Sequence, residues 1–297
     1  MTHRSPRIGL ALGSGSARGW AHVGVIRALE RAGISPSIVC GTSIGALVGA
    51  AYAAGELDRF EPWVKGLTWQ SVMSLLDLTV TGGLIEGGRL VEFFRSRYDD
   101  RGIAHLPKAF GCVATELATG REVWLREGSV VDAVRASVAL PGLLTPLLQD
   151  ERLLVDGGLV NPVPVSLCRA MGAEIVIAVD LNWDLIGRRH HAPEDPGAAA
   201  APADSSILDA IFARFRPSAG LHQPTEMPSV LDVLTTSLNI MQVRITQSRL
   251  AGEPADAMIR PRLSGVVAMD YHRAAVAIAE GERAAGQVVP LIRDLIA

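Results

Sequence analysis

The sequence predicts an α/β sandwich with a largely parallel sheet, and three observations carry that expectation. Residues 7–55 hold two successive units of strand, glycine-rich turn and helix. Glu174 to Val179 is a continuous, mostly β-branched run of the kind a sheet buries on both faces. Helical periodicities alternate with the remaining strand candidates, the ordering expected of α/β chains.

Taken in order, Arg7 to Leu12 is a short apolar strand that ends in glycine. Ala17 to Ala32 follows as a helix, with apolar positions at Val23, Ile26 and Leu29 and a stop at Gly33. Ile38 to Cys40 is the second strand; it runs into Gly41, Ser43 and Gly45, after which Ala46, Leu47, Val48, Ala50 and Ala51 form a helix ending at Gly55. Gly55 to Gly88 carries Phe60, Trp63, Leu67, Trp69 and further apolar residues through Leu78, too many for a simple connection. That segment reads as a cap over a pocket and, from Phe60 to Leu78, as a surface for weak, reversible contact with a bilayer. Further strands are expected at Phe110 to Thr115, Glu122 to Leu125 and Leu153 to Val155. Gly187 to Ser206 has four consecutive alanines, several prolines and no periodicity, as expected of an insertion. Ser229 and Asp232 make a capping box for a helix whose apolar face is Val230, Leu234, Leu238, Met241 and Ile245. A last helix runs from about Asp270 towards Ile296. One domain, residues 7–296, suffices: a core over 7–182, the insertion at 187–206 and a helical part at 229–296.

Composition excludes several classes. Hydrophobic residues make up 48% and charged residues 20% of the 297, so the chain is neither mainly disordered nor short of a core. With 28 basic and 31 acidic side chains the net charge is −3, which provides no field for nucleic acid and little attraction to an anionic membrane. Cys40, Cys112 and Cys168 fit neither a disulfide framework nor a zinc ligand set and read as small buried hydrophobes of a reducing compartment. No secretory leader and no apolar run of membrane-spanning length is visible, so a soluble, cytoplasmic protein is expected. No His, Cys, Asp or Glu cluster has metal-ligand spacing, and neither metal nor cofactor is expected.

Three constellations can carry chemistry. Gly13-Ser14-Gly15-Ser16-Ala17-Arg18-Gly19 lies between a strand and a helix, where glycine-rich backbone presents unpaired N–H groups at a positive helix end. A dinucleotide fingerprint needs glycine or alanine where Arg18 stands, and a phosphate-binding loop needs Gly-Lys at Arg18-Gly19. An oxyanion hole and a plain tight turn remain. Gly41-Thr42-Ser43-Ile44-Gly45 follows a strand and opens a helix, the setting in which flanking glycines allow a turn sharp enough to expose a nucleophilic serine; a structural turn is the bland alternative. An α/β-hydrolase would place its nucleophile far later in the chain and would require a histidine after the acid. His190 and His191 fall in the insertion, His222 in a proline-flanked loop and His272 on the last helix, while His22 and His105 precede the acid. His22 reads as a packed structural residue. Asp156-Gly157-Gly158, directly after a strand, offers a base instead: a carboxylate beside two residues without side chains can approach another loop and stay partly desolvated, which raises its basicity. An Asp-Gly turn is its bland alternative. Asp156 is expected on the carboxyl edge of the sheet with both glycine loops. Asp180 reads as a partner for backbone amides, Glu116 and Glu122 as hairpin residues, and Asp132 as a helix-start residue.

In this order, the Arg18-Gly19 loop, the Gly-Thr-Ser-Ile-Gly elbow and the late Asp-Gly-Gly resemble the patatin-like phospholipase family, closest to its short bacterial members related to the catalytic domain of neuropathy target esterase. The likeness extends to Trp20-Ala21-His22-Val23-Gly24-Val25, to Ser137-Val138-Ala139-Leu140-Pro141-Gly142 and to Leu159-Val160-Asn161-Pro162-Val163-Pro164. It implies a three-layer α/β/α fold and hydrolysis of lipid or lysolipid acyl esters. By the same resemblance, Ser43 is the nucleophile and Asp156 the proton acceptor. Gly13, Ser14, Gly15, Ser16 and Ala17 are the oxyanion hole, Arg18 and Gly19 its support, and Gly41 and Gly45 the elbow glycines. Where the family runs continuous glycines, this chain has Ser14 and Ser16, which crowd the loop. A lipid-sensing or partner-binding module with weak turnover, and acyl transfer to an acceptor other than water, are the rival expectations.

Overall fold

The first strand shows how the sheet is built: in β1 (Ile8–Leu12) Leu10 and Leu12 join one apolar cluster and Ala11 joins a second, so alternate side chains face two buried layers. The computed structural model describes residues 6–68, 70–71, 102–141, 143–186 and 230–297. Among them β1 lies between β2 (Ile38–Thr42) and β7 (Ile175–Val179), both parallel to it. β3 (Ala109–Glu116) extends the parallel sheet beyond β2, and β8 (Ala257–Ile259) extends it beyond β7. Antiparallel strands complete the β3 end: β4 (Glu122–Leu125) folds back on β3, β6 (Arg152–Asp156) also pairs with β3, and β5 (Leu147–Gln149) pairs with β6. The three residues of β5 and of β8 are too few to show a period in the sequence.

Helices cover both faces. On one face α1 (Ala21–Arg31), α2 (Ile44–Ala53), α3 (Leu57–Lys65), α4 (Val130–Ser137) and α7 (Ala274–Ile296) pack with Leu10, Val39, Phe110 and Ile177 into one cluster. On the other, α5 (Val165–Ala170) and the end of α6 (Val230–Gly252) pack over Ala11, Ile38, Cys40 and Val176. The result is the three-layer α/β/α sandwich with a mostly parallel sheet. α2 is buried along its whole length, as an α-helix apolar on all sides must be. α1 and α7 touch backbone to backbone through two glycines: a Cβ on Gly24 would lie 1.9 Å from the Ile278 carbonyl oxygen, and one on Gly281 would lie 2.0 Å from that of Ala21.

Several expectations change. The segment from Ser16 to Trp20 is a 3-10 turn rather than the first turn of α1, and Tyr271–Arg273 is another, directly before α7. The apolar face expected for α6 is not its packed face: Leu234 and Met241 are about half exposed, while Gln242, Val243 and Thr246 are buried. Polar partners at the first and last of these outweigh hydrophobic period. The capping box at Ser229 and the insertion at 187–206 lie outside the described residues. Phe60, Val64 and Leu67 are core, with Phe60 against Trp20 at 6.0 Å between ring centres, so these three side chains present no exposed surface. Trp69 and Val72 to Leu78 lie outside the described residues. The three cysteines are buried thiols, and no helix among the described residues is long and apolar enough to cross a membrane.

Candidate active site

Ser43 sits in the turn between β2 and α2, with φ 58° and ψ −126°. A non-glycine residue at positive φ is strained, and here the strain turns the hydroxyl out at the positive end of a helix. Gly45 makes so tight a turn feasible: a Cβ there would lie 2.2 Å from the carbonyl oxygen of Leu12. Gly41 is equally confined against the backbone of Ala46. Below the elbow, the Ser43 N–H donates to Ser137 Oγ at 2.9 Å, and the Ser137 hydroxyl donates to the Val113 carbonyl at 2.6 Å. Thr42 donates its hydroxyl to the Asn161 carbonyl at 2.8 Å.

Asp156 reaches this serine from an unexpected direction. β6 runs antiparallel to β3, so its end reaches the carboxyl edge of the parallel strands from the opposite side, and Asp156 lies at that edge beside the end of β2. β4 occupies the other edge of β3 from Cys112 to Thr115, which leaves β2 and β6 sharing one edge, end to end. Thr42 faces Val113 and Asp156 faces Ala114, and the two strand ends meet head-on. Ser43 Oγ donates to Asp156 Oδ2 at 2.5 Å, and the Gly158 N–H donates to Asp156 Oδ1 at 2.7 Å. The carboxyl group is buried, and burial raises its pKa from 3.8 to about 6 against the opposing pull of the Ser43 and Gly158 hydrogen bonds.

The glycine-rich loop passes beside both. The Gly13 N–H donates to the Val179 carbonyl (3.1 Å), the Ser14 N–H to that of Pro162 (2.8 Å) and the Ala17 N–H to that of Ala268 (3.1 Å). Those three of the five expected oxyanion donors are thus spent on holding the loop. Among the described residues the N–H groups of Gly15 and Ser16 have no such partner, and Ser16 is the one residue of the five that is not fully buried. Arg18 is buried under the loop near Asp184 and Tyr271, and burial lowers its pKa to about 10. Gly19 gives way to the Ile44 side chain, whose atoms stand 2.2 Å from where its Cβ would be. His22 is fully buried, with Nε2 2.7 Å from the Gly13 carbonyl oxygen; burial lowers its pKa to about 4. It braces the loop as a neutral group.

An apolar pocket opens at Ser43, walled by Trp20, Leu47, Trp63, Leu67, Leu140 and Leu144, with Ser16 and Tyr271 also lining it. Trp63 and Leu67 thus supply part of the pocket wall expected from their segment. Among the described residues no histidine lines the pocket, and no group of three or more His, Cys, Asp or Glu side chains could hold a metal ion. Asp180 accepts the Asn182 N–H (3.0 Å), Glu116 closes the hairpin through Thr119, and Asp132 stands in the first turn of α4, capped by Ser129. Glu122 does more than mark the hairpin, since it pairs with Arg249 of α6.

Sequence reasoning missed three contributors. Ser137 stood in a stretch quoted for likeness but carried no signal of its bridging role. Gln242 and Tyr271 arrive from the C-terminal part of the chain, where an isolated polar residue in a helix or before one has no local mark.

Comparison with known proteins bears on the whole arrangement. The family model described as patatin-like phospholipase matches residues 10–169. An uncharacterised NTE family protein of Mycobacterium tuberculosis is 32% identical over 332 residues, spanning 96% of this chain and 92% of that protein. Patatin-like phospholipase domain-containing protein 6 of Homo sapiens is 38% identical over 184 residues, 59% of this chain but 13% of that protein. With more than half of its length matched by the family model and a relative alike from end to end, this chain belongs to the patatin-like phospholipase family.

Proposed function

We propose that the protein is a serine hydrolase of lipid acyl esters that works through a Ser43–Asp156 dyad. The observation that carries the reading is the 2.5 Å hydrogen bond from Ser43 Oγ to a buried carboxylate at the mouth of an apolar pocket. Asp156 takes the Ser43 proton as Oγ attacks the ester carbonyl; with a pKa of about 6 it is ionised near neutrality yet basic enough to share that proton. The free N–H groups of Gly15 and Ser16 stabilise the oxyanion, a narrower set than the five residues expected from sequence. The protonated Asp156 then gives its proton to the departing alkoxide, and a water activated by Asp156 releases the acyl group from Ser43. The pocket wall suits an acyl chain, because Trp20, Leu47, Leu67, Leu140 and Leu144 make most of it apolar.

The test is a panel of phospholipid, lysophospholipid, monoacylglycerol and short p-nitrophenyl esters, assayed beside Ser43→Ala. A fluorophosphonate probe should label Ser43, and the variant should lose labelling and turnover together. Label mapped to another residue, or undiminished turnover in the variant, overturns the dyad.

A further inference from the structure

The family model ends at residue 169, yet the glycine-rich loop is gripped by residues far beyond it. Ser14 donates its hydroxyl to Gln242 Oε1 at 3.2 Å, and Asn182 Nδ2 donates to the same oxygen at 3.1 Å and to Ser14 Oγ at 3.4 Å. All three side chains are buried, where unmade polar contacts are costly. The Gln242 amide also covers Gly158, the residue whose N–H holds Asp156: a Cβ on Gly158 would lie 2.7 Å from Gln242 Nε2 and 2.9 Å from Asp156 Oδ1. The backbone of Ala17 is tied to Ala268, and Ser16 lines the pocket together with Tyr271, whose ring packs edge-on to Trp20 at 5.8 Å. Ser16 holds φ 50°, a conformation that needs support in a residue with a side chain.

We propose that Gln242 is a positioning residue: through Ser14 it holds the loop in the pose that turns the Gly15 and Ser16 N–H groups towards the substrate. Ser14, which stands in place of a glycine, is then an attachment point. The C-terminal part of the chain is a working part of the site, because it fixes the donors relative to Ser43 and Asp156. Gln242 spans both halves of that geometry, touching the loop on one side and the Asp156 turn on the other.

The inference rests on the hydrolase reading for its kinetic arm and is independent of it for its structural arm. Ser14→Gly, Gln242→Leu and the double variant form a cycle. Each protein is measured for kcat and KM on a short p-nitrophenyl ester, for the rate of fluorophosphonate labelling, for the pH profile and for amide exchange in residues 10–20. Gln242→Leu is expected to lower kcat and labelling about tenfold, less than the full loss of an oxyanion donor, with KM within about twofold and the pH midpoint unmoved. In the Ser14→Gly background it should cost less than about threefold, since the attachment is already gone. Exchange in the loop should rise in each single variant. If Gln242→Leu does not fold, Gln242→Asn, which withdraws the amide by one methylene, carries the same expectation. Effects that multiply in the cycle, or loop exchange that stays at the wild-type rate, overturn the proposal. Failure of Ser43→Ala to abolish turnover would instead overturn the dyad and leave the exchange result standing.

Discussion

Thr42 and Asp156 face consecutive residues of one strand, Val113 and Ala114, from opposite directions. The rigid β3 backbone therefore sets the distance between Ser43 and the carboxylate across 113 residues of chain. No third side chain is needed to orient the carboxylate: the Gly158 N–H fixes one of its oxygens and leaves the other for Ser43.

Asp156→Asn should lower kcat by about two to four orders of magnitude while leaving the fold intact, because the amide keeps the shape but cannot accept the proton. Circular dichroism and single-turnover kinetics read the two halves of that statement. Wild-type kcat/KM should rise through a midpoint near pH 6 and fall about tenfold per unit below it.

The same carboxyl group should cost stability when it ionises. Its folded pKa, about 6, lies above its ordinary 3.8, so its contribution is intact below pH 4 and is lost as pH rises through 6. A shift of about two units corresponds to about 3 kcal/mol. Denaturant titrations from pH 4 to 8 should show a loss of that order in wild type that Asp156→Asn lacks.

Ser137→Ala should destabilise the elbow, because the Ser43 N–H and the Val113 carbonyl both lose a buried partner. The expected cost is about 1–3 kcal/mol per orphaned group. A fall in kcat larger than any rise in KM should accompany it, and an unchanged melting temperature would count against the bridge.

His22→Gln should leave the pH profile of turnover unchanged, since His22 meets the Gly13 carbonyl and not Ser43. Its folded pKa, about 4, is below the ordinary 6.5, so wild-type stability should fall as pH drops from 6.5 towards 4. The glutamine variant, which does not titrate, should show a shallower decline.

Much of this arrangement was legible in the sequence. The runs that became β1, β2 and β7 are buried on both faces, and glycine-flanked turns after the first two announced where chemistry could sit. The direction of β6 was not legible, because an isolated strand carries no record of whether its partner runs with or against it. Nor was the choice among five loop amides, which depends on carbonyls supplied by Val179, Pro162 and Ala268. Gln242 lies 228 residues from Ser14, and contact at that separation leaves no periodic trace.

The backbone contacts that Gly24 makes with Ile278 and Gly281 with Ala21 also dictate an order of events during synthesis. α1 leaves the ribosome early, with Val25, Ile26 and Leu29 already apolar and its groove unfilled, while its partner α7 is made only after most of the intervening chain. At about 5–20 residues per second that interval is on the order of tens of seconds. The nascent chain therefore exposes an unpaired hydrophobic helix for that long, a target for chaperones.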